Sequence, residues 1–570
     1  MTINEQQDAI IDEFADMDDW MDRYQLLIDM GNELEALDEK YKTNQNLIDG
    51  CQSRVWVQCD YRDGRLYFQA DSDALIVKGI IALLIQVLSG HTPAEILDAD
   101  LYFIDRIGLR DHLSPTRSNG LLAMIKQIKA YALAYKTKGG GMMRTISIVL
   151  LWLCCTLGWA QTADSRAADC LSESRWFDLH DVYATDSAQM SPFIRQFART
   201  MVSQMFNRPQ QACDDILTLV RGYQQQLGGT NACSMLLLLA DNYSRMGDNA
   251  RAAATVRSLA DQMEGKADSV TIAQMRGKER LYSALSALRV NETDTASHTL
   301  PFTYTELGDT AQHLMVVGGS VNGRKAGLIF DTGAAYNVIT PELARRYRLR
   351  IIDADIQVSG TRLMGGKMAV ADVLTIGSLT VRNVVFAVLD MTAGNERARR
   401  VAQQISLVIG QPLLQLFGSY TIDFASRQIH LTHQSHRSGA APNLFFNKVP
   451  YVAVTRDSLR MAMALDTGAA TSSLDNAYYK AFAADVAREG KWELAATMGV
   501  GGISYNSVFR MPAIALSIGD TPFTLHRVPV TALSPHNRLT QGYGRLGIDF
   551  MRQWSSVTVD NVNMTIHLQH

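Results

Sequence analysis

The sequence Leu328-Ile329-Phe330-Asp331-Thr332-Gly333-Ala334 is repeated in shorter form as Ala464-Leu465-Asp466-Thr467-Gly468-Ala469. Each copy is followed by a strand-like segment that ends in glycine, Leu407-Val408-Ile409-Gly410 in the first and Gly544-Arg545-Leu546-Gly547 in the second. The aspartate and this glycine are 79 residues apart in the first copy and 81 in the second. Matched motifs at matched distances predict two equivalent halves within one chain.

The surrounding residues extend this prediction to the whole C-terminal region. From Pro301 onward, short β-branched runs are broken by Gly and Asn, as in all-β proteins. The ends of the copies also correspond, since Tyr420-Thr421-Ile422-Asp423 matches Val557-Thr558-Val559-Asp560. We therefore predict an all-β, bilobal domain over residues 301–570, with lobe 1 at about 305–435 and lobe 2 at about 445–570.

The repeated aspartates are candidate catalytic residues. Two carboxylates that face each other share one proton, because like charges about 3 Å apart cannot both ionise. The ionised member can take a proton from a water between them, while the protonated member polarises a carbonyl group. Asp331 and Asp466 both follow an apolar run and precede Thr-Gly-Ala. Four neighbouring residues are predicted to support the aspartates. Thr332 and Thr467 are expected to hydrogen-bond across the junction, and Gly333 and Gly468 are expected to let the backbone turn.

This doubled motif resembles the retropepsin-like aspartic proteases, with both lobes in one chain as in the pepsin arrangement. The resemblance covers roughly residues 305–570 and implies an aspartic endopeptidase, with Asp331 and Asp466 as its dyad and a peptide or protein as substrate. The alternative is a catalytically idle peptide-binding domain that has kept the protease fold.

Two features bear on how closely the region follows this family. Gly365-Gly366 and Gly501-Gly502 fall where flap hairpins are expected, although no clear flap tyrosine accompanies them. Asn337 departs from the pattern, because the second copy has Ser472, the commoner residue type after this motif. The departure concerns the hydrogen bonds of the first lobe rather than its aspartate.

The N-terminal region has a different, α+β pattern, which we assign to a domain at residues 1–138. Apolar residues at helical spacing over residues 5–46 lead into a loop that ends at Cys51. Strand-like runs at 54–59 and 65–69 are joined by a turn at Asp63-Gly64, and helices are predicted at 74–90, 93–99 and about 119–135. A reactive cysteine needs an accessible thiolate. Cys51 on its loop fits this need, whereas Cys59 shares strand parity with buried positions and is predicted to face the core.

The loop Ile48-Asp49-Gly50-Cys51-Gln52-Ser53-Arg54-Val55-Trp56 resembles the signature of the SufE family of sulfur acceptors in iron–sulfur cluster assembly. Val77-Lys78-Gly79-Ile80 and the segment Leu113-Ser114-Pro115-Thr116-Arg117-Ser118-Asn119-Gly120 follow in family order. The resemblance implies that Cys51 accepts persulfide sulfur from a cysteine desulfurase and passes it to a cluster scaffold. Pyridoxal phosphate belongs to the desulfurase, and this module holds no cofactor of its own. Arg117 is a candidate for supporting the loop or docking the partner.

A linker and an apolar segment occupy residues 139–160. Arg144, the apolar run 146–157 and Gly158-x-Ala160 occur in the order of a secretory signal peptide. The segment predicts that the C-terminal module is exported, or membrane-tethered if the segment acts as an anchor, while the N-terminal module is cytoplasmic. An internal position for such a segment leaves a further alternative, in which the frame joins two separate proteins.

Residues 161–300 are predicted to be α-helical. The stretch 235–263 resembles one helix–turn–helix unit of tetratricopeptide type, with Gly247-Asp248 at its turn. Because one unit cannot bury its own faces, we expect a helical region that precedes the β domain rather than a recognition array. In an oxidising compartment Cys213 and Cys233 are able to pair, and two free thiols are the alternative; the state of Cys170 is left open.

Composition sets limits on the remaining functions. The net charge of −4 and the pI near 6.3 provide no basic surface that would indicate nucleic-acid binding. The seven cysteines include no C-x-x-C pair, and no Cys/His cluster has the spacing of metal ligands. We therefore predict neither a nucleic-acid partner nor a metal site.

Overall fold

The computed structural model describes most of the chain. The described ranges are 2–48 and 54–132, each with gaps (16, 18–19, 36, 39–40, 43–45, 110–120, 122, 126 and 130), then 162–306 without 268, 313–359, 363–390, 406–436, 441–499, 502–531 and 542–570. Cys51, Arg117, Gly501 and the segment 142–160 lie outside these residues. The described residues form two compact units, one before residue 133 and one after residue 161.

The N-terminal unit combines helices with one antiparallel hairpin. Strands β1 (Val55–Arg62) and β2 (Arg65–Ser72) pair from Val55 opposite Ser72 to Arg62 opposite Arg65. The helices are α1 (Ile3–Ala15), α2 (Trp20–Glu33), α3 (Leu75–Leu88), α4 (Pro93–Asp98) and α5 (Phe103–Arg106), and the described residues of 121–132 are also helical. The predicted α+β class is confirmed.

Local chemistry explains these elements. The hairpin turn has positive φ at Asp63 (51°) and Gly64 (79°), as a tight two-residue hairpin loop requires. Thr92 and Glu95 cap α4 reciprocally, behind Pro93 in the first turn. The apolar helix α3 crosses α2 at Gly79, where an added Cβ would lie 2.0 Å from the carbonyl oxygen of Leu27. Glycine at this position therefore permits the close helix contact that builds the core.

The second unit begins with a stack of helices. They are α6 (Ala163–Ser172), α7 (Trp176–Asp186), α8 (Pro192–Met205), α9 (Pro209–Gly222), α10 (Gln224–Arg245), α11 (Asn249–Met263) and α12 (Ser269–Leu285). Gly247 (φ 86°) turns the chain between α10 and α11, and the Asp248 side chain accepts a hydrogen bond from Arg251 N as the helix cap. Each helix packs against the next one. The neighbouring helices α9 and α12 therefore bury the faces that the α10–α11 pair alone would leave exposed to solvent.

The rest of the unit is a bilobal β structure with short helices. Its strands are β3 (His298–Glu306), β4 (His313–Val321), β5 (Arg324–Phe330), β6 (Val338–Ile339), β7 (Arg350–Ser359), β8 (Leu363–Ile376), β9 (Leu379–Val388), β10 (Leu407–Ile409), β11 (Ser419–Asp423), β12 (Gln428–Thr432), β13 (Leu444–Asn447), β14 (Val449–Arg456), β15 (Leu459–Leu465), β16 (Ser473–Leu474), β17 (Lys491–Gly499), β18 (Gly502–Ile518), β19 (Thr521–Thr531), β20 (Gly544–Leu546), β21 (Ser556–Asp560) and β22 (Thr565–Gln569). The helices are α13 (Pro341–Arg346), α14 (Gln411–Leu414), α15 (Asn476–Ala481), α16 (Ala483–Glu489) and α17 (Ile548–Met551).

The two lobes follow the internal repeat. Lobe 1 is a sheet in the order β12-β3-β4-β5-β10-β6-β9-β8-β7, and lobe 2 is a sheet in the order β13-β14-β15-β20-β16-β19-β18-β17. Strands β11 and β21, the ends of the two copies, pair antiparallel and join the lobes, with Thr421 opposite Thr558 and 2.8 Å between their Oγ1 atoms. These threonines are equivalent in the repeat, so a pseudo-twofold axis passes between them.

One hydrophobic core runs through the helices and both lobes. The Phe177 ring on α7 lies 5.0 Å from the Phe445 ring on β13. Asn207, after α8, donates to the carbonyl oxygen of Asn561 at 2.7 Å. The helical region is therefore an integral part of this unit. Within the described part of the chain, no helix is both long and apolar enough to cross a membrane.

Candidate functional site

Asp331 and Asp466 occupy equivalent places at the ends of two short parallel pairings. Strand β5 pairs with β10 and delivers Asp331, while β15 pairs with β20 and delivers Asp466. Asp331 N donates to the carbonyl oxygen of Ile409, and Asp466 N donates to that of Leu546, both at 3.0 Å. The downstream apolar segments quoted from the sequence thus fix the backbone at each aspartate.

Thr332 and Thr467 lock the two loops together. Thr332 N donates to Thr467 Oγ1 at 2.9 Å, and Thr467 N donates to Thr332 Oγ1 at 3.0 Å. Each hydroxyl then donates across the lobe boundary at 2.8 Å, Thr332 to the Leu465 carbonyl oxygen and Thr467 to that of Phe330. Both threonines are fully buried. Four reciprocal bonds without water access give the carboxylates one fixed geometry.

The glycines of the motif bring each backbone against the opposite carboxylate. A Cβ on Gly333 would lie 2.4 Å from Asp466 Oδ1, and one on Gly468 would lie 2.3 Å from Asp331 Oδ2. Gly333 N also donates to Asp331 Oδ1 at 2.8 Å. Any side chain at these two positions would displace a carboxylate. The structure therefore brings together all six residues that the sequence predicts for this site.

Electrostatics distinguish the two carboxyls. Burial, and secondly the charge of Asp466, hold the pKa of Asp331 well above its usual value, although the Gly333 N–H opposes this shift. The raised pKa favours the protonated form of the Asp331 carboxyl, as a pair that shares one proton requires.

Arg545 is a residue of the site that sequence reasoning missed. Its Nη1 lies 3.1 Å from Asp466 Oδ2. The repeat places Val408, a buried apolar residue, at the corresponding position of lobe 1. The available signal in the sequence was a charged side chain in an otherwise apolar strand segment.

The departure at Asn337 is accommodated by an equivalent hydrogen bond. Gly410 N donates to Asn337 Oδ1, and Gly547 N donates to Ser472 Oγ, each at 2.9 Å. Asn337 Nδ2 additionally donates to the Val385 carbonyl oxygen at 3.0 Å. Asparagine therefore replaces serine in lobe 1 without leaving the neighbouring backbone unsatisfied.

Each lobe also contains a long hairpin, β7–β8 in lobe 1 and β17–β18 in lobe 2. Gly366 lies on β8, where an added Cβ would be 2.5 Å from the Val388 carbonyl oxygen on β9. In lobe 2, Gly499 pairs with Gly502 next to the turn. Gly365, Gly366 and Gly502 thus belong to two equivalent hairpins, and Gly501 lies outside the described residues.

In the N-terminal unit the structure describes the strands beside the Cys51 loop. Ile48 N donates to the Val55 carbonyl oxygen at 2.8 Å, so the described residues on the two sides of the loop are paired. Cys59 is buried, as its strand parity predicts. Burial, together with the charge of Asp60, raises the pKa of the Cys59 thiol to about 12. Cys59 is thus unsuited to act as a thiolate nucleophile at neutral pH.

The prediction that Cys213 and Cys233 can form a disulfide is wrong. Both thiols are free, as is that of Cys170. Cys213 on α9 is buried, whereas Cys233 on α10 has its Sγ 3.6 Å from Met263 Sδ on α11. The cysteines lie on adjacent helices, but the Cys233 side chain contacts the third helix. Among the described residues, no group of three or more His, Cys, Asp or Glu side chains could hold a metal ion.

Comparison with known proteins agrees with this division. The family model described as Fe-S metabolism associated domain (SufE) matches residues 8–132, and the aspartyl protease model matches residues 317–413. An uncharacterized SufE-like protein of Rhizobium meliloti is 42% identical over 130 residues, which are 22% of this chain and 93% of that protein. A similar protein of Synechocystis is 39% identical over 127 residues, 22% of this chain and 80% of its own length.

Among solved structures, the chain is similar to the crystal structure of basic 7S globulin from soybean, at 12% identity and a TM-score of 0.30, over 48% of this chain and 95% of that one. The two family matches fall on the two units of the fold, one on each. The chain belongs to the SufE family through its N-terminal domain, and it carries an aspartyl protease domain in its C-terminal half.

Proposed function

We propose that the N-terminal domain is a persulfide acceptor and that Cys51 is its nucleophile. Cys51 and Cys59 are the two cysteines of this domain, and the burial and raised pKa of Cys59 argue against a role as nucleophile. Membership of the SufE family supports a cysteine desulfurase as partner in general. An iron–sulfur scaffold complex is the proposed recipient, and Arg117 supports the loop or the docking of the partner.

The chemistry of this step is a thiol–persulfide exchange. The Cys51 thiolate attacks the outer sulfur of the persulfide on the desulfurase, and a new S–S bond forms as the old one breaks. The desulfurase cysteine leaves as a thiolate, and Cys51 becomes the persulfide. No net oxidant is needed, because the sulfur is transferred at its existing oxidation level. The pyridoxal phosphate that releases sulfur from free cysteine belongs to the partner.

The C-terminal domain is proposed to be an aspartic endopeptidase. The observation that carries this proposal is the pair of aspartates held face to face by the crossed Thr332–Thr467 hydrogen bonds. A fixed, partly dehydrated pair of carboxyls needs little reorganisation when charge develops on a substrate carbonyl. The raised pKa of Asp331 supplies a protonated carboxyl for that role.

Hydrolysis of the peptide bond then proceeds without a covalent intermediate on the protein. The ionised aspartate takes a proton from water as the water oxygen bonds to the carbonyl carbon, while the protonated aspartate gives its proton to the carbonyl oxygen. When the C–N bond breaks, the amine receives the proton taken from water, and a hydroxyl of the intermediate returns a proton to the other carboxyl. One proton thus serves two carboxyls in every cycle.

Export of the C-terminal module is part of the proposal. Its support is the order of basic residue, apolar run and small residues over 142–160. The N-terminal module then works in the cytoplasm. If the segment is not removed, it tethers the two modules across a membrane; if the frame joins two proteins, each acts alone.

Both activities are testable on the full chain. Desulfurase turnover in the presence of the chain should rise, and Cys51 should gain 32 mass units from one sulfur. Incubation with a mixed peptide library should give cleavage that a statine-type inhibitor of aspartic proteases blocks. Inhibitor binding without any cleavage would instead favour the idle peptide-binding domain.

A further inference from the structure

The two aspartates of the candidate dyad have different neighbours. Arg545 of β20 is within hydrogen-bond distance of the Asp466 carboxylate, at 3.1 Å, and its side chain is 43% exposed while that of Asp466 is 13% exposed. The equivalent residue beside Asp331 is Val408, which belongs to an apolar cluster of lobe 1 with Ile329 and Val338. The pseudo-twofold symmetry of the motif residues is therefore broken at this pair of positions.

The asymmetry has a chemical consequence, because a cation stabilises the ionised form of the carboxylate that it touches. The guanidinium remains charged over the whole accessible pH range. Burial alone would lower the pKa of Arg545, but the nearby carboxylates of Asp466, Asp475 and Asp331 raise it above its usual value. Burial and the charge of Asp466 raise the pKa of Asp331, so its protonated form is favoured.

We propose that Arg545 is a positioning residue that assigns fixed roles to the two carboxyls, so that Asp466 is the ionised member that accepts the proton of water and Asp331 is the member that donates its proton to the carbonyl oxygen. This assignment rests on the proposed protease activity and adds to it a direction of proton flow. After each cycle Asp331 regains a proton and Asp466 is again ionised, so the roles do not exchange.

The groups that face Arg545 come from several elements. They are Asp466 after β15, Asp331 after β5, Asp475 after β16 and Tyr451 on β14. The Tyr451 hydroxyl is neutral in acid and near neutrality, since burial raises its pKa. Asp475 competes with Asp466 for the guanidinium, so the effect of Arg545 on the dyad is smaller than that of an isolated ion pair.

A nearby positive charge makes both ionisation steps of a carboxyl pair easier, and its removal makes both harder. Arg545→Met, which keeps the stem but removes the charge, should move both limbs of the pH–activity curve to higher pH. We expect a shift of roughly half a unit to one unit, since solvent screening reduces the effect of a partly exposed cation. Arg545→Lys should keep both limbs near their original positions.

Arg488→Met is the matched control. Arg488 forms ion pairs with Asp485 and Glu489 on α16 of the same lobe, and its loss should leave both limbs in place. A positioning role requires both limbs of the pH–activity curve to move together in Arg545→Met. A variant that retains activity with unmoved limbs, or a lysine variant that shifts as much as methionine, would overturn the proposal.

A second measurement does not depend on peptidase activity. In full-length chains with one aspartate replaced by asparagine, the infrared carboxyl band can be followed with pH against the double variant. The carboxyl left in Asp331→Asn, beside Arg545, should lose its proton at lower pH than the carboxyl left in Asp466→Asn. Adding Arg545→Met should abolish most of this difference. The same order without cleavage would retain the assignment while rejecting the protease, and the reverse order would reject the assignment.

Discussion

Cys51 is the proposed reactive thiol of the N-terminal domain and Cys59 is a buried structural one. Substitution by serine tests this difference. Cys51→Ser should abolish persulfide acceptance and stimulation of the desulfurase, while folding is retained because the change is nearly isosteric. Cys59→Ser should retain transfer but lower the free energy of unfolding by about 1–3 kcal/mol, since it buries a hydroxyl in an apolar core. Mass spectrometry of the persulfide and denaturant unfolding measure the two effects. Equal loss of transfer in both variants would remove the assignment to Cys51.

The raised pKa of Asp331 also predicts how stability depends on pH. Near pH 3, below the pKa of this carboxyl in the unfolded chain (about 3.9), both states hold the proton. As pH rises above that value, the unfolded chain ionises while the folded one does not, so this contribution to stability falls. Asp331→Asn should therefore raise the melting temperature at pH 7 and change it little near pH 3.

The control for this prediction is Asp353→Asn, because Asp353 is an exposed carboxylate of the same lobe. Its substitution should not reproduce the pH-dependent gain. Calorimetry at the two pH values provides the comparison. A gain for Asp331→Asn that is equally large at pH 3 would show that strain, rather than ionisation, is being relieved.

The sequence predicted some features of single residues and missed others for a physical reason. Motif residues such as Thr332 and Gly333 are recognisable because each performs a backbone task that few residue types can perform. Arg545 makes a side-chain contact between segments 79 residues apart, and no local pattern encodes such a contact. The accommodation of Asn337 likewise depends on Gly410, which only the folded chain brings within reach.

Among the secondary-structure elements, hydrophobic periodicity and the residue types at turns were sufficient for prediction. The turn at Asp63-Gly64 and the α10–α11 turn at Gly247 lie where the sequence places them, because positive φ restricts the choice of residues. The extent of the helical stack was less visible. Only the pair α10 and α11 has a recognisable pattern, whereas the whole stack of helices from α6 to α12 buries its faces through tertiary contacts.

The disulfide hypothesis rested on the oxidising compartment alone. The sequence predicts that Cys213 and Cys233 lie in a helical region but does not give the helix face on which either lies. In the structure the Cys233 thiol contacts α11 through Met263. Prediction of a disulfide requires the direction of both Cβ atoms as well as the proximity of the helices.

The free thiols lead to a prediction about alkylation. Of Cys213 and Cys233 in the native, unreduced chain, Cys233 should be alkylated first, because it is only half-buried. Cys213 should react slowly, since it is buried and its pKa is raised to about 11 by that burial. Prior reduction should change neither rate. Peptide mapping measures the labels, and labelling that requires reduction would contradict the free-thiol state.

At the scale of the whole molecule, one chain joins two units with separate cores. Among the described residues, the core of the N-terminal domain contains none from the second unit. One large core is shared by the helical region and both lobes, beside a smaller apolar cluster in lobe 1. The helical region is therefore expected to remain with the protease domain in any processed form. Residues 133–161 separate the described residues of the two cores.

The mass of the mature protein shows whether the cell divides the chain between the two units. An uncleaved fusion should give a single species of about 63 kDa, as the full sequence does. Processing after the apolar segment, or translation from an internal start, should instead give two smaller species, one with each unit. We expect two species, because Gly158 and Ala160 match the small-residue pattern of a signal-peptidase site. Intact-mass analysis of both cell fractions would decide, and a sole 63-kDa species in every fraction would contradict removal of the segment.

The peptidase activity of the two single asparagine variants tests whether Asp331 and Asp466 form one catalytic site within one chain. A dyad that shares one proton should be most active in acid, because rising pH removes the proton that polarises the carbonyl group. Asp331→Asn and Asp466→Asn should each reduce this activity to background, since an amide can neither accept nor donate the proton. Thr340→Ser, a conservative change at the cap of α13, serves as the folded control. Substantial activity in one aspartate variant, but not in the other, would contradict a shared single-chain dyad.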